Sequence, residues 1–132
     1  MPWELAERLA NVDYQTRMAL VATCEQFGEE DILAVARYEG NLPGEPDLAD
    51  VAIVVEDRYQ GRGLGTLLLE RLVAYARTHG IRVFRATVYH DNAPMKRIIR
   101  RSGLPIESRV ESGVWEIRMK LKELRQNLIA SQ

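Results

Sequence analysis

Hydrophobic positions in the first half of the chain fall in short runs that favour strands. MALVATCEQ (18–26) and DILAVARY (31–38) are rich in apolar and β-forming residues, and FGEE (27–30) between them is suited to a hairpin loop. ADVAIVV (49–55) follows a loop rich in proline and glycine, and it is apolar enough to predict a strand buried on both faces. Three strands are therefore predicted here.

A helical period replaces this pattern further along the chain. Leucines and other apolar residues recur on one face over residues 64–79, and Gly80 is a natural residue to follow the end of that helix. A second helix is predicted after Asp91 and Asn92, either of which can cap it. IRVFRATVY (81–89) between the two helices is predicted as a fourth strand.

The two ends of the chain complete the predicted order of elements. Pro2 can open a short helix over the first nine residues. PIESRVES (105–112) and VWEIRMKL (114–121) are predicted as a final hairpin, and residues 122–132 as a short helical or frayed tail. The order α-β-β-β-α-β-α-β-β predicts an α/β fold of the α+β kind, with one parallel βαβ unit in a mostly antiparallel sheet.

Length and composition limit the class of protein. The 132 residues correspond to one domain over residues 1–132, large enough to bury a core without disulfides or a structural metal. No apolar run approaches the roughly 18 residues that a membrane span needs, and the first residues lack the pattern of a secretory signal. Cys24 is the only cysteine, so an internal disulfide is excluded. These features predict a cytoplasmic protein.

Charge is divided unevenly along the chain, although the net charge is only −1. Residues 1–57 hold 13 acidic and 3 basic side chains, a balance of −10, whereas residues 58–101 hold 2 acidic and 10 basic side chains, a balance of +8. Two explanations stay open at this point. The division guides ligands of opposite sign to two regions, or solvated faces simply differ in sign.

The stretch YQGRGLGTLLLE (59–70) has glycines at alternate positions directly before the leucine-rich helix. A glycine inside a regular element costs about 0.5–1 kcal/mol, so a compensating role is expected. Glycines let consecutive backbone N–H groups converge, and a helix N-terminus adds unpaired N–H groups and partial positive charge. Together they predict an anion site that suits a pyrophosphate.

Two well-known phosphate-binding motifs fit this stretch poorly. A dinucleotide-binding fingerprint needs G-x-G-x-x-G, but Thr66 occupies the third glycine position and the chain offers only one clear βα unit. A Walker P-loop ends in G-K-[ST], whereas residues 64–66 contain no lysine. A glycine turn at a helix mouth, outside both motifs, is the interpretation we retain.

The run Q-G-R-G-L-G at residues 60–65 resembles the Q/R-x-x-G-x-G/A motif of the GNAT acetyltransferase superfamily. The neighbouring elements match as well, and the similarity covers residues 15–121. The sequence ADVAIVVEDRYQGRGLG…HDNAPMKRIIRRSGL most resembles those of bacterial protein-lysine acetyltransferases. The resemblance implies a mixed, mostly antiparallel sheet flanked by helices, with the parallel βαβ unit at the cofactor site.

The same comparison shows a departure at the start of the chain. About one strand and one helix that usually open GNAT domains are absent before the helix expected at Pro2. We expect either a trimmed domain, or a partner subunit that covers the bared sheet edge and gives a homodimer.

The resemblance implies acetyl-CoA as the cofactor and indicates which residues bind it. In GNAT proteins the glycine motif holds the CoA pyrophosphate, the pantetheine arm pairs with the preceding strand, and one strand N–H polarises the thioester carbonyl. An Asn at the next helix contacts the pantetheine or the leaving side of CoA, and it can cap that helix at the same time. The implied cofactor-binding residues are Ile53, Val54, Val55, Gln60, Gly61, Arg62, Gly63, Leu64, Gly65, Thr66 and Asn92.

The resemblance also implies a catalytic residue. A lysine amine, with a reference pKa of about 10.4, is protonated at neutral pH, so a general base must remove a proton, often through water. Asp50 stands where related protein acetyltransferases have a Glu, and its shorter side chain favours a water relay; a polar strand-entry residue is the alternative interpretation. Glu56 is a second candidate, with an exposed strand end as its simpler role. Ile99 replaces a Tyr that many members use to protonate the leaving thiolate.

Other reactive side chains fit structural roles. Cys24 suits a small core residue, His79 a helix C-terminus, and His90 lies beside the expected cofactor cleft. No metal-ligand spacing is recognisable, so no metal is expected. A basic cluster on the second helix either faces solvent or supplies a contact to the 3′-phosphate of CoA. The cluster comprises Lys96, Arg97, Arg100 and Arg101.

The sequence thus leads to two hypotheses of different classes. The first is an enzyme that moves an acetyl group from acetyl-CoA to a primary amine, of a small molecule or a protein lysine, by direct attack with a general base. The second is a non-catalytic acyl-CoA-binding or regulatory module, which the Asp in place of Glu and the missing Tyr favour. Nucleic acid and membrane partners are not expected, since the basic residues lie on elements already assigned to the cofactor.

Overall fold

The computed structural model of the protein describes residues 4–7, 17–40 and 43–121, which form one sheet with two α-helices. The strands are β1 Glu4–Glu7, β2 Arg17–Gln26, β3 Glu29–Glu39, β4 Leu48–Val55, β5 Val83–Tyr89, β6 Ile106–Glu111 and β7 Val114–Lys120. The helices are α1 Leu64–Thr78 and α2 Ala93–Arg101, and a short 3₁₀ turn spans Asp57–Tyr59. Neither described helix is long and apolar enough to cross a membrane.

The described strands lie in the order β1-β2-β3-β4-β5-β7-β6. β4 and β5 are parallel, and every other neighbouring pair is antiparallel. The parallel pair follows from the connection through α1, because parallel neighbours need a crossover and antiparallel neighbours need only a hairpin. The predicted fold class, with its single parallel βαβ unit, is confirmed.

Two hairpins in the sheet use the same tight turn. Phe27 and Gly28 join β2 to β3 with φ of 55° and 78°, and Ser112 and Gly113 join β6 to β7 with φ of 54° and 79°. Positive φ at both turn positions belongs to the two-residue turns that match the twist of paired strands. The four-residue loop predicted at residues 27–30 is therefore wrong in length, because Glu29 already belongs to β3.

The N-terminal helix predicted from Pro2 is wrong over the residues described. Residues 4–7 form β1, with Leu5 opposite Ala22 in the antiparallel register with β2. The bonds of a sheet edge outweigh the weak helical pattern of so short a segment. The tail at residues 122–132 lies outside the described residues.

The hydrophobic core lies between the helices and one face of the sheet. Leu68, Leu69 and Leu72 of α1 are fully buried there, and the rings of Tyr38 and Phe84 meet with centroids 5.5 Å apart. Cys24 is also buried in this core, as its small apolar character predicts. The opposite face of β4, β5, β7 and β6, called the open face below, carries charged side chains. They include Asp50, Arg85, Arg109, Glu116 and Arg118.

The expectation that the third predicted strand is buried on both faces is wrong. Burial along β4 falls from Leu48 and Ala49, which are covered, to Val54, whose exposed fraction is 70%. Val54 lies on the open face, and β4 is paired with β5 only as far as Asp50.

Candidate functional site

β4 and β5 separate before either strand ends. Their parallel register covers only residues 48–50 of β4 with 83–85 of β5, whereas β4 stays paired with β3 as far as Val55. A wedge therefore opens between residues 51–55 and residues 86–89. The α1 connection and the start of α2 both lie at its wide end, outside the carboxyl ends of the two parallel strands, where such folds bind ligands.

The backbone of β4 presents polar groups to this wedge. The N–H of Glu56, just after β4, donates to the carbonyl of Leu33 on β3 at 2.8 Å. Because the backbone groups of successive strand residues point in opposite directions, those of every second residue of β4 point away from β3. Ile53 and Val55 thus direct their backbone groups into the wedge, where the described sheet gives them no β5 partner. Val54, paired with Val35, directs its backbone groups to β3.

A glycine turn closes the wide end of the wedge. Gly61 and Gly63 have φ of 78° and 84°, in the left-handed region that favours glycine, and a side chain at either would meet nothing within 4 Å. Gly63 caps α1 without a side-chain bond, and the first turn carries no acidic residue. The first helical bond runs from the N–H of Leu67 to the carbonyl of Gly63 at 3.0 Å, so the preceding N–H groups lack intrahelical acceptors.

The third glycine of the motif has a different cause. Gly65 lies inside the first turn of α1 and is buried. A Cβ there would overlap Cδ1 of Ile98 on α2 and come within 2.9 Å of its Cγ1 and 3.4 Å of Cγ2 of Val55. Gly65 therefore lets α1 approach α2 and β4 closely, which fixes the position of the helix mouth.

Basic side chains complete a groove over the glycine turn, called the glycine groove. Arg97 and Arg101 of α2 share its lining with the turn, while Arg62 is held over the ring of Tyr59 at 5.7 Å. Free N–H groups, a helix N-terminus and two guanidinium groups fit a pyrophosphate. The full lining is Val55, Tyr59, Gln60, Gly61, Gly63, Gly65, Thr66, Pro94, Arg97, Ile98 and Arg101.

Two predicted cofactor residues have internal partners that hold the site in shape. The Nε2 of Gln60 donates to the carbonyl of Val55 at 3.0 Å and to Oδ1 of Asp57 at 3.2 Å, tying the turn to the end of β4. The Oδ1 of Asn92 accepts from the N–H of Met95 at 3.2 Å and so caps α2, as predicted. A contact of Asn92 with a cofactor stays a prediction.

Asp50 lies at the point where the wedge opens. The sequence did not predict its hydrogen-bond partner, Arg85. The Nε and Nη2 of Arg85 donate to Oδ1 and Oδ2 of Asp50 at 2.7 and 3.1 Å. The two residues are register partners on β4 and β5. The hydrogen bond from Arg85 to Asp50 raises the pKa of Arg85 above its usual value, while burial acts against it. The two residues are 35 positions apart in the sequence, so the contact becomes visible only once the pairing of β4 with β5 is known.

A second groove of about 690 Å³ reaches the wedge from the open face and is called the open-face groove. Arg85 and Glu116 of its lining belong to a network in which Arg85 and Arg118 both approach Glu45 and Glu116, at 3.4 to 3.9 Å. The open-face groove borders the wedge at Val51, Ala52 and Thr87, and the glycine groove borders it at Val55. The lining of the second is Asp50, Val51, Ala52, Arg85, Thr87, Arg109, Glu111, Ser112, Val114 and Glu116.

The other candidates lie away from these two grooves or are already engaged. Glu56 pairs with Arg58 at 3.1 Å at the exposed end of β4. Ile99 is buried in the core, so no polar group replaces the family's Tyr at that position. The carbonyl of His90 accepts a hydrogen bond from Nζ of Lys96 at 2.6 Å.

The splayed parallel pair and the glycine groove are features of the class of proteins that bind a pyrophosphate-containing ligand at a βα crossover. The model of the acetyltransferase (GNAT) family matches residues 2–104, and the chain belongs to that family. Acetyl-CoA is the acetyl donor of these enzymes, and the features of the glycine groove fit its pyrophosphate.

Relatives with known names agree with this placement. Acetyltransferase Pat of Mycolicibacterium smegmatis is 38% identical over 101 residues, which are 75% of this chain and 29% of Pat. L-methionine sulfoximine/L-methionine sulfone acetyltransferase of Pseudomonas aeruginosa is 30% identical, over 83% of this chain and 64% of that enzyme. The GNAT domain of S. lividans PAT has a TM-score of 0.69 at 33% identity, covering 83% and 64% of the two chains. This chain thus spans less than two thirds of each.

Proposed function

We propose that this protein transfers an acetyl group from acetyl-CoA to a primary amine, and that the amine belongs to a protein lysine. The observation that carries the proposal is that two separate grooves border one wedge, at Val55 and at Val51. The glycine groove suits the phosphates of the donor, and the open-face groove gives an amine access from the other side of the sheet. Resemblance to protein-lysine acetyltransferases favours lysine, and the relatives that acetylate amino acid analogues make a small amine the competing acceptor.

The backbone of β4 has the geometry to activate the donor. Acetyl-CoA supplies a thioester carbonyl, which an amine can attack. The N–H groups of Ile53 and Val55 point into the wedge, where they can donate to the oxygen as negative charge develops on it. Preformed backbone donors of this kind need no reorganisation during the reaction, so the strand itself acts as the oxyanion site.

Asp50 is the group proposed to take the proton from the amine. It lines the open-face groove at the narrow end of the wedge, and its side chain is 48% exposed, so water can reach it. Arg85 holds the carboxylate in one orientation through two hydrogen bonds. With both oxygens engaged on one side, Asp50 accepts the proton through a water on its open side.

Two observations favour the alternative, a non-catalytic acyl-CoA-binding module. Both oxygens of Asp50 are bonded to Arg85, and the position of the family's Tyr is filled by the buried Ile99. Such a module would keep the glycine groove and lose the chemistry of the wedge.

One pair of measurements separates these possibilities. Acetyl-CoA binding is measured by isothermal titration, and thiol release is followed with a panel of lysine peptides and small amines. Binding together with thiol release on lysine peptides supports the proposal. Thiol release on small amines alone identifies a small amine as the acceptor. Binding without release on any acceptor selects the module, and absence of binding contradicts both.

A further inference from the structure

One outer edge of the described sheet is β6, all of whose residues are exposed. β6 pairs with β7 on one side, and no described strand pairs with the other. Ile106 and Val110 are 48% and 50% exposed, so this strand with a free edge carries exposed apolar side chains. An edge of this kind is a template for pairing with another chain.

The backbone of β6 is in phase for such pairing. The N–H of Lys120 donates to the carbonyl of Pro105 at 2.9 Å, so alternate residues starting from Pro105 bond to β7. The N–H and C=O groups of Ile106, Ser108 and Val110 therefore point outward. An antiparallel copy of β6 centred on Ser108 would give each of these groups a partner.

The side chains select this register over its neighbour. Centred on Ser108, Ile106 lies opposite Val110 of the partner subunit, and Glu107 lies opposite Arg109 of the partner subunit. Centred on Arg109, each arginine would oppose the partner's Arg109, and Glu107 would oppose the partner's Glu111. Opposite charges stabilise facing positions and like charges destabilise them, so the sequence I-E-S-R-V is self-complementary in one register.

The charged groups are available for this contact. Glu107 is 67% exposed and uses one oxygen for Lys120 at 3.1 Å, which leaves the other free. Arg109 is exposed and has no ion-pair partner within residues 4–7, 17–40 and 43–121. Both line a groove of about 280 Å³ on the open face, which a second β6 would extend.

From these observations we infer that the protein forms a two-fold symmetric homodimer, in which β6 pairs antiparallel with β6 of a second copy in the register centred on Ser108. The sheet then runs continuously through both subunits. The inference is independent of donor binding, because β6 and its pairing use none of the residues proposed to bind the donor. Arg109 also lines the open-face groove, so the tests below measure association and not activity.

Charge reversal tests the register directly. Sedimentation velocity on the full chain, from micromolar to millimolar concentration, is expected to show a dimer. Glu107→Arg and Arg109→Glu each place like charges opposite one another, and each alone should weaken dimerisation about tenfold or more. Mixed together, the two variants regain opposite charges at both positions and should form a heterodimer.

A backbone variant tests the same strand without a change of charge. Ser108→Pro removes an outward N–H that β7 does not use, so the subunit should fold and stay monomeric, whereas Ser108→Ala should dimerise like the wild type. Circular dichroism melts confirm that each variant is folded. A wild type that is monomeric at every concentration, or a dimer that Ser108→Pro and the charge variants leave unchanged, overturns the inference.

Discussion

Arg85 determines how the carboxylate at the wedge is held. Its pKa is raised chiefly by the hydrogen bond to Asp50, so the guanidinium is charged at every working pH. A basic group with a raised pKa contributes stability below its usual pKa and loses it only as the pH rises through the raised value. The Asp50–Arg85 pair therefore keeps its charged donor through neutral and moderately alkaline solution, and Arg85 adds no titration to a pH–rate profile there.

Substitution of Asp50 tests its role as the base. Asp50→Asn keeps the size and removes the proton acceptor, so turnover should fall about a hundredfold or more while acetyl-CoA affinity stays near wild type. Glu45→Gln is the matched control, because Glu45 is a second carboxylate on the same arginine, at 3.9 Å. Steady-state rates and titration calorimetry separate the two effects, and unchanged turnover in Asp50→Asn would remove Asp50 from the mechanism.

Gly65 makes a second prediction at the scale of one residue. Alanine normally stabilises a helix interior, but at this position its Cβ would meet Ile98, so Gly65→Ala should lower the free energy of unfolding by about 1–3 kcal/mol. In an Ile98→Ala background the obstacle is gone, and the same substitution should be neutral or stabilising. Urea denaturation of the four proteins measures the coupling, and additive effects would show that contact with Ile98 is not the cause.

At the scale of elements, the sequence identified those with a strong local pattern. α1, α2 and the β3–β4 region follow from hydrophobic period and glycine position, whereas β1 was mistaken for a helix because its pattern is too short to distinguish the two. The splay of β4 from β5 and the contact of Asp50 with Arg85 depend on strand register. Register is set by the whole sheet, and single-residue patterns do not contain it.

Comparison of Gly63 and Gly80, which border α1, distinguishes a role in binding from a purely conformational role. Gly63 and Gly80 have nearly the same φ, 84° and 85°, and equal space for a Cβ. Alanine at either should destabilise the fold by about 1 kcal/mol through the same left-handed strain. Only Gly63→Ala should weaken acetyl-CoA binding, because only that turn faces the glycine groove. Equal affinities for the two variants would contradict the assignment of the turn to the pyrophosphate.

At the scale of the molecule, the uneven charge of the sequence becomes a basic groove on one side of the sheet and a mixed, acid-containing network on the other. Arg97 and Arg101 line the glycine groove. Asp50, Glu45 and Glu116 surround the arginines of the open face. The basic part of this division therefore lies where the donor phosphates are proposed to enter, whereas the acidic side chains of the open face are paired with arginines.

This arrangement predicts a salt dependence carried by two arginines. Acetyl-CoA affinity should fall as salt is raised, because screening over about 10 Å at 0.1 M ionic strength weakens attraction to its phosphates. Replacing Arg97 and Arg101 with Gln should lower affinity and flatten this dependence. Arg100→Gln on the same helix, outside the groove lining, is the control and should leave the slope unchanged. A double variant with the wild-type slope would exclude these side chains from phosphate binding.

The early end of the β4–β5 pairing has a consequence for how the protein can be observed. Along one strand, amides bonded to β3 alternate with the amides of Ile53 and Val55, which face the wedge. Hydrogen–deuterium exchange should therefore be slow and fast at successive residues. A molecule that pairs with the strand would slow exchange at Ile53 and Val55 while Val54 stays as it was. Exchange at Ile53 and Val55 therefore reports whether the wedge is occupied, and exchange at Val54 serves as the internal control.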